Sequence, residues 1–427
     1  MTLHIPKPLL MQAPEFWQII SDNLKLFTRI LDEHPDVLLN ELKFLQNYPE
    51  ILLLKPRIQI FHRIQFGKIN HSNTIRIKVR RDHVLVDSFK SLQRKACDLL
   101  SEYNIKFIGE EGIDAGGIKR SWFSLLIKEL FNPNYALFTP SSNLRSFQPS
   151  ISSYFNPDHI AYFRFAGKML ARTIIEGICV EAHLTRAFLK SLLKLPMDLQ
   201  DIEDSDERLY KSLIWIKNNK VDEDELDMPF TVDIDDMGVH KTVELVPNGE
   251  NIRINEENKE EFIRLMIQNR LVTSIKAQTD AFCEGFYSLI PIEDLKMFKP
   301  NELDLLICGL PEIDIEDLKK NCVYDRPYHA DHQIIVWLFN VLERCGPEFK
   351  AKFLLFLTGS SQIPVGGFRA LADMGREIRI GPGGGHERLP CAHTCSNRLD
   401  LPTYSSEKEL EEKLMMAIQE CNTFGFA

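Results

Sequence analysis

Cys395 stands in a polar segment that runs LPCAHTCSNRLDLP over residues 389–402, with His393 two residues before the thiol. A cysteine attacks as the thiolate, and an unperturbed thiol has a pKa near about 8.5. If residues 393–395 are extended, His393 lies on the same face as Cys395, where it can stabilise the thiolate or relay a proton. The alternatives are that His393 only braces the loop and that Cys395 is an inert, half-buried thiol. An exposed thiol with polar neighbours on a short segment is what a covalent acyl carrier needs.

Two neighbouring side chains can assist such chemistry. The hydroxyl or backbone N–H of Thr394 can contact a bound acyl carbonyl, and Asp400 can orient an incoming amine. The alternative for Asp400, as for Asn397, is to organise the turn.

The same segment leaves two other interpretations open. A zinc site would draw on the ligands His386, Cys391, His393 and Cys395. These crowd one loop, whereas structural zinc sites usually pair ligands from separate places. A redox switch would join Cys391 to Cys395, but cysteines four apart on an extended strand cannot be bridged without bending. We therefore expect no metal site.

The composition excludes several classes of protein. The chain has 427 residues, 44% of them hydrophobic and 26% charged, which is typical of a globular protein with two or three domains. No apolar run is long enough to span a membrane, and no signal peptide is apparent. The nine cysteines show no framework spacing, which indicates free thiols and a cytoplasmic or nuclear location. The net charge of −10 argues against nucleic-acid binding.

Several helices and one strand are predicted around the cysteine segment. Apolar periodicity predicts helices over 16–31, 35–45 and 56–66, and strict alternation predicts a strand over 75–80. Helices and short strands then mix irregularly to about residue 310, which favours an α+β fold. A helix that carries Phe262 is expected after an N-cap at Asn255. Further helices are expected over the ranges 118 onward, 303–306, 333–342, 348–357 and 408–418.

Two glycine-containing segments have local interpretations. Gly309, Leu310 and Pro311 interrupt the helical pattern, and because glycine frees the backbone and proline ends a helix, they predict a hinge. The run over 381–385 is glycine-rich but lacks the Gly-Lys-Ser/Thr ending of a phosphate-binding loop, so we interpret it as a flexible turn.

Seven strings in order resemble HECT-type ubiquitin ligases. They are GEEGIDAGG at 109–117, FNPNYALF at 131–138, YFRFAG at 162–167, FCEGF at 282–286, ELDLLICG at 302–309, FLLFLTG at 353–359 and the AHTC of the cysteine segment. The resemblance covers residues 76–427. The wording, including AIQEC at 417–421, is most similar to the very large HUWE/Tom-type ligases.

The resemblance implies a bilobal α+β protein. A helical extension over 1–73 would precede a large, mostly helical N-lobe with small strands over 74–309. Within it, roughly 200–275 would form a small subdomain that binds the conjugating enzyme. A smaller α/β C-lobe over 310–427 would carry the cysteine and pivot on the hinge.

The resemblance also implies function and partners. It predicts an enzyme that accepts ubiquitin from a conjugating enzyme as a thioester on Cys395 and transfers it to a lysine of a protein substrate, in a pathway that leads to proteasomal degradation. The family uses no metal and no nucleotide cofactor. A HECT-shaped protein that binds conjugating enzymes or ubiquitin without transfer is the remaining alternative.

Further roles are carried over by position. Phe262, Ile214 and Met228 stand where the family contacts the conjugating enzyme, with core packing as the alternative. Phe424 is fourth from the end, where the family has a phenylalanine that docks the tail on the N-lobe. The tail departs from the family because it lacks an acidic residue, so that only the terminal carboxylate of Ala427 is negative. Cys391 departs too, since relatives commonly carry a small or polar residue there.

Overall fold

A computed structural model describes residues 14–38, 42–47, 52–93, 99–110, 117–142, 144–221, 227–236, 239–310, 312–394 and 396–425. The first part of the chain is helical: α1 Pro14–Asp22, α2 Leu24–Glu33 and α3 Leu54–Phe66. Two short 3-10 helices, Pro35–Leu38 and Lys43–Asn47, replace the single helix predicted over 35–45, and residues 39–41 lie outside the described ranges. Leu38 and Leu45 are seven residues apart and both buried, so their spacing could not distinguish one long helix from two short ones.

The next part of the chain forms a large mixed unit. Its elements are β1 Asn70–Val79, α4 Val84–Gln93, β2 Ser101–Phe107, α5 Gly117–Leu130, β3 Phe138–Pro140, β4 Phe147–Pro149, α6 His159–Ile175 and α7 Arg186–Leu192. Strands β1 and β2 are parallel neighbours, and β3 and β4 are antiparallel. The buried residues of this unit, from Ile58 to Cys308, form the large core.

A second group of elements surrounds a separate small core, which runs from Ala187 to Leu271. These elements are α8 Asp201–Ser205, α9 Glu207–Asn218, the antiparallel strands β5 Thr231–Asp236 and β6 Val239–Glu244, and α10 Lys259–Leu271. The predicted N-cap at Asn255 is wrong by three residues. The Asn255 side chain instead accepts the N–H groups of Glu257 and Asn258 in the turn before α10.

The chain then returns to the large core through α11 Lys276–Tyr287, α12 Ile292–Leu295 and α13 Pro300–Cys308. Helices α6 and α11 cross through glycines. A Cβ atom at Gly167 would lie 2.0 Å from the Phe282 carbonyl oxygen, and one at Gly285 would lie 1.9 Å from the Arg164 carbonyl oxygen. The strings YFRFAG and FCEGF therefore supply a close helix contact in the large core.

The C-terminal core, from Ile315 to Ile418, is a third packing unit. It contains α14 Ile315–Asn321, β7 Val323–Tyr324, α15 Gln333–Arg344, α16 Pro347–Thr358, α17 Gly367–Asp373, β8 Arg379–Pro382, β9 Cys391–His393, β10 Arg398–Leu401 and α18 Glu407–Gly425. The sheet order is β7-β8-β10-β9, with β10 parallel to β8 and antiparallel to β9. This sheet presents the cysteine segment.

The domain boundaries predicted from the sequence differ in how well they separate these packing units. The boundary between residues 73 and 74 falls inside β1, and Ile58, Phe61 and Ile69 already belong to the large core, so the preceding helix is built into that core. The boundary after Gly309 falls between the large and C-terminal cores. Among the described helices, none is both long and apolar enough to cross a membrane.

Candidate active site

The cysteine segment is a strand, a turn and a second strand at the edge of the C-terminal sheet. Strand β9 pairs with β10 so that His393 faces Arg398 and Cys391 faces Asp400. The Ser396 N–H donates to the His393 carbonyl at 3.1 Å and closes the turn. Cys395 itself lies outside the described residues, while its sequence neighbours Thr394 and Ser396 are described. The segment is thus held by β9 and β10 on either side of the predicted nucleophile.

His393 has a specific carboxylate partner. Its Nε2 atom is 2.8 Å from Oδ2 of Asp400, and its side chain remains 47% exposed. Because one ring nitrogen is engaged by a carboxylate, the orientation of the imidazole is defined. The sequence left open whether His393 braces the loop, and the contact with Asp400 is a bracing contact. Because the ring is partly exposed, His393 can also stabilise a thiolate or relay a proton.

Asp400 is itself part of a charged cluster. Arg398 Nε donates to Asp400 Oδ1 at 2.6 Å, and Arg398 Nη1 donates to Asp325 Oδ2 at 2.6 Å. Partial burial raises the pKa of Asp400, but the hydrogen bonds from Arg398 and His393 and their positive charge outweigh it, so the pKa lies below the ordinary value. Asp400 is therefore a carboxylate at neutral pH, suited to orienting a cation and poorly suited to accepting a proton.

Asn397 organises the turn from inside. It has a left-handed backbone with φ of 50°, a conformation that asparagine tolerates better than most residues, and its side chain is buried. Its Nδ2 group donates to the Arg376 carbonyl at 2.7 Å. The loop after the predicted nucleophile is therefore fixed to the C-terminal core.

Contacts from the large core also reach this loop. Arg120 on α5 donates from Nε to the Thr358 carbonyl at 2.7 Å, and from Nη2 to Asn397 Oδ1 at 3.0 Å and to the Thr394 carbonyl. In the opposite direction, Arg376 donates to the carbonyl oxygens of Glu176 at 2.9 Å and Gly177 at 3.2 Å. Sequence reasoning missed both arginines. The one signal for Arg120 is a charged residue inside the apolar pattern of α5.

The predicted hinge lies at the end of α13. Gly309 has φ of 80°, and a Cβ atom there would lie 2.3 Å from the Ile363 carbonyl oxygen. The Leu310 N–H donates to that same carbonyl at 2.7 Å. Pro311 lies outside the described residues. Only glycine fits at position 309, and the hinge role of the segment stays a prediction.

The residues predicted to contact a conjugating enzyme differ in exposure. Phe262 is only 2% exposed and packs edge-on against Phe230 in the small core, with ring centroids 5.4 Å apart. Phe262 therefore packs in the small core in this structure, and its contact with a conjugating enzyme stays a prediction. Ile214 and Met228 are partly buried. The neighbour of Ile214, Trp215, is 51% exposed and was missed, although a tryptophan on the polar face of an amphipathic helix was a visible signal.

The cysteines differ sharply in availability. Of the six whose side chains the structure describes, Cys391 alone is exposed. Burial raises the pKa of Cys179 to about 12 and that of Cys283 to about 11, which suppresses their thiolates. Phe424 lies in the last turn of α18, and its side chain is outside the described part of the chain.

Two of the suggested zinc ligands, His386 and His393, lie next to carboxylates. His386 lies 3.8 Å from Glu409, whereas His393 pairs with Asp400, so these two members of the suggested zinc set have different neighbours. Within the described ranges, one group of potential ligands, His183, Asp304 and Cys308, has ligand atoms within 4.8 Å of one another. There the imidazole is 3.0 Å from the carboxylate, and the thiol donates to it at 3.7 Å, so each group has a protein partner.

The cysteine segment belongs to a separate C-terminal core, which a glycine joins to a larger helical unit. This arrangement is typical of a protein that carries a group covalently on a cysteine. A family model described as HECT-domain (ubiquitin-transferase) matches residues 124–427. The chain therefore belongs to the HECT-domain family. This confirms the family and the α+β fold class predicted from the motifs, and the enzyme class of the family is the predicted one, a HECT-type ubiquitin-protein transferase.

Curated relatives refine the likeness. The chain is 37% identical to the E3 ubiquitin-protein ligase TOM1-like of Neurospora crassa, over 100% of this chain and 11% of the relative. It is 39% identical to E3 ubiquitin-protein ligase UPL1 of Arabidopsis thaliana, over 96% and 12%, and 40% identical to E3 ubiquitin-protein ligase HUWE1 of Mus musculus, over 82% and 8%. The predicted likeness to HUWE/Tom-type ligases is confirmed. The chain spans only 8% to 12% of the length of these relatives.

Proposed function

We propose that this chain accepts ubiquitin from a ubiquitin-conjugating enzyme as a thioester on Cys395 and transfers it to a lysine of a protein substrate. The observation that carries the proposal is the family match over residues 124–427, which includes the sequence His393-Thr394-Cys395. The proposal includes a cytoplasmic or nuclear location, where conjugating enzymes charged with ubiquitin occur.

The first step is a thioester exchange. The Cys395 thiolate attacks the carbonyl carbon of the conjugating enzyme's thioester, one C–S bond forms, the other breaks, and the conjugating enzyme leaves as its thiolate. The exchange is nearly isoenergetic because a thioester replaces a thioester. His393, oriented by Asp400 and partly exposed, is placed to stabilise the thiolate or to relay its proton.

The second step is aminolysis. The lysine amine attacks the thioester carbonyl, an isopeptide C–N bond forms, the C–S bond breaks, and Cys395 leaves as the thiolate while the amine's proton passes to solvent. Asp400 supports this step as a fixed negative charge that attracts the lysine, since its lowered pKa keeps it ionised. Phe424 is assigned to docking of the tail.

The conjugating enzyme is proposed to dock on the small-core unit. Ile214, Met228 and above all the exposed Trp215 are the residues that support this assignment. A large exposed aromatic side chain is a typical anchor of protein interfaces.

A discharge assay tests the proposal. The chain is mixed with conjugating enzyme already charged with ubiquitin, and products are separated on non-reducing gels. The wild type and Cys391→Ala are expected to form an adduct that a thiol reagent removes, and Cys395→Ala is expected to form none. The absence of an adduct from the wild type across a broad panel of conjugating enzymes would reject transfer in favour of a non-catalytic binder.

A further inference from the structure

Arg120 is a buried arginine that reaches from the large core to the cysteine loop. It is 8% exposed, and its acceptors include the carbonyl oxygens of Thr358 and Thr394 and the side-chain oxygen of Asn397. A guanidinium offers five N–H donors in a rigid planar fork, so one side chain can hold acceptors from separate segments. Arg120 thereby joins α5 both to the end of α16 and to the loop.

The acceptors in the loop lie on both sides of the predicted nucleophile. Thr394 comes immediately before Cys395, and Asn397 comes two residues after it. Asn397 is fixed in turn by its bond to the Arg376 carbonyl, and the Arg376 guanidinium returns to the carbonyls at the end of α6. The contacts form a closed path between the large and C-terminal cores, and Arg120 is the member that grips the loop directly.

We propose that Arg120 is a positioning residue that holds the cysteine loop against α5 while ubiquitin passes to lysine. This inference rests on the proposed function. Transfer to an amine requires the thioester to be held in a defined geometry, and small displacements of a reacting group lower its rate strongly. Among the described residues of the loop, Arg120 contacts two near neighbours of Cys395 in the sequence. It acts through the backbone of Thr394 and the side chain of Asn397.

The two steps place different demands on the loop. To receive ubiquitin, the loop must admit a folded conjugating enzyme to the thiol, and a loop held against α5 on one side is less accessible. To pass ubiquitin on, the loop needs to admit only a lysine side chain. The docked arrangement therefore serves the second step, and removal of Arg120 slows transfer to lysine while leaving thioester formation intact.

The test separates the two steps in Arg120→Gln, which removes the positive charge, and Arg120→Lys, which keeps it but lacks the planar fork. Charging is followed as the rate of adduct formation from charged conjugating enzyme. Discharge is followed on the pre-formed adduct, with free lysine added after recharging has been blocked. Arg164→Gln is the matched control, because Arg164 pairs on the surface with Glu284 at 2.7 Å.

The expected result for Arg120→Gln is a charging rate within about twofold of the wild type and a discharge rate at least roughly tenfold lower, with Arg120→Lys in between. A partly unfolded variant would lose charging amplitude as well, so the split between the steps reports positioning rather than stability. Unchanged discharge, or an equal loss in both steps, would overturn the inference while wild-type charging upholds the proposed function. If the wild type itself does not charge, the proposed function fails first.

Discussion

Protonation of His62 is expected to destabilise the junction between α3, the end of α6 and the C-terminal core. The imidazole is hydrogen-bonded to the backbone at Ile174, lies near Gly177, and faces the cationic Arg376. Burial and the charge of Arg376 lower the pKa of His62 from 6.5 to about 4, against a smaller opposing effect of the Ile174 hydrogen bond. His62 is therefore neutral in the folded protein at neutral pH.

The sign and size of the effect follow from linkage. Between pH 6.5 and about pH 4, the unfolded chain binds a proton at His62 that the folded chain does not bind. Stability is therefore complete above pH 6.5 and falls as the pH drops, by up to about 1.4 kcal/mol for each pH unit. Since the ring keeps partial contact with solvent, we expect a total loss of about 2 kcal/mol.

The assay compares the wild type with His62→Gln by urea unfolding between pH 7.5 and pH 5. The difference between the two proteins is the useful quantity, because His183 titrates with the opposite sign. Its hydrogen bond to Asp304 raises its pKa, and the comparison removes this contribution. The wild type should lose stability relative to His62→Gln as the pH falls. A pH-independent difference, together with an NMR titration of His62 near pH 6.5, would show that burial and Arg376 do not lower the pKa of His62.

Three further predictions concern separate parts of the molecule. Trp215→Ala should slow charging by roughly tenfold and leave discharge of a pre-formed adduct within about twofold, because Trp215 is the proposed anchor for the conjugating enzyme. Ile108→Ala is the control at another exposed residue, and equal charging rates of the two variants would contradict this role of Trp215. Gly167→Ala should lower the free energy of unfolding by about 3 kcal/mol or more, because the new Cβ would overlap the Phe282 carbonyl. Gly346→Ala should lower it by less than about 1 kcal/mol, because a Cβ at position 346 has open space. Similar melting temperatures for both variants would show that α6 and α11 can separate. Asp400→Asn should slow discharge to lysine by about tenfold at neutral pH, because it removes a carboxylate whose lowered pKa keeps it ionised. Discharge at the wild-type rate would exclude this charge from the second step.

The sequence was most informative where the signal is local. Amphipathic periodicity located α3, α15 and α16, and the AHTC string marked the loop that β9 and β10 present. Gly309 was recognisable as a break because a glycine after an apolar helix is a local pattern. Such features depend on a few consecutive residues, so one sequence is enough to find them.

Features that depend on distant contacts could not be predicted. Arg120 contacts groups 238 to 277 residues away in the chain, so no local pattern reveals that it meets the cysteine loop. The burial of Phe262 likewise depends on tertiary contacts that a local pattern does not reveal. Apolar residues on a helix have the same spacing whether they face a core or a partner, and only the tertiary contacts show that Phe262 packs against Phe230.

The carrier role of Cys395 is tested most directly by trapping ubiquitin on this position as an oxygen ester. Cys395→Ser is incubated with charged conjugating enzyme, and the adduct is treated separately with a thiol reagent and with mild alkali. We expect an adduct that the thiol reagent leaves intact and alkali cleaves, with the ubiquitin C-terminus mapped to position 395 by mass spectrometry of the digested adduct. A thiol-sensitive adduct on Cys395→Ser, mapped to Cys391 or another cysteine, would contradict the central claim.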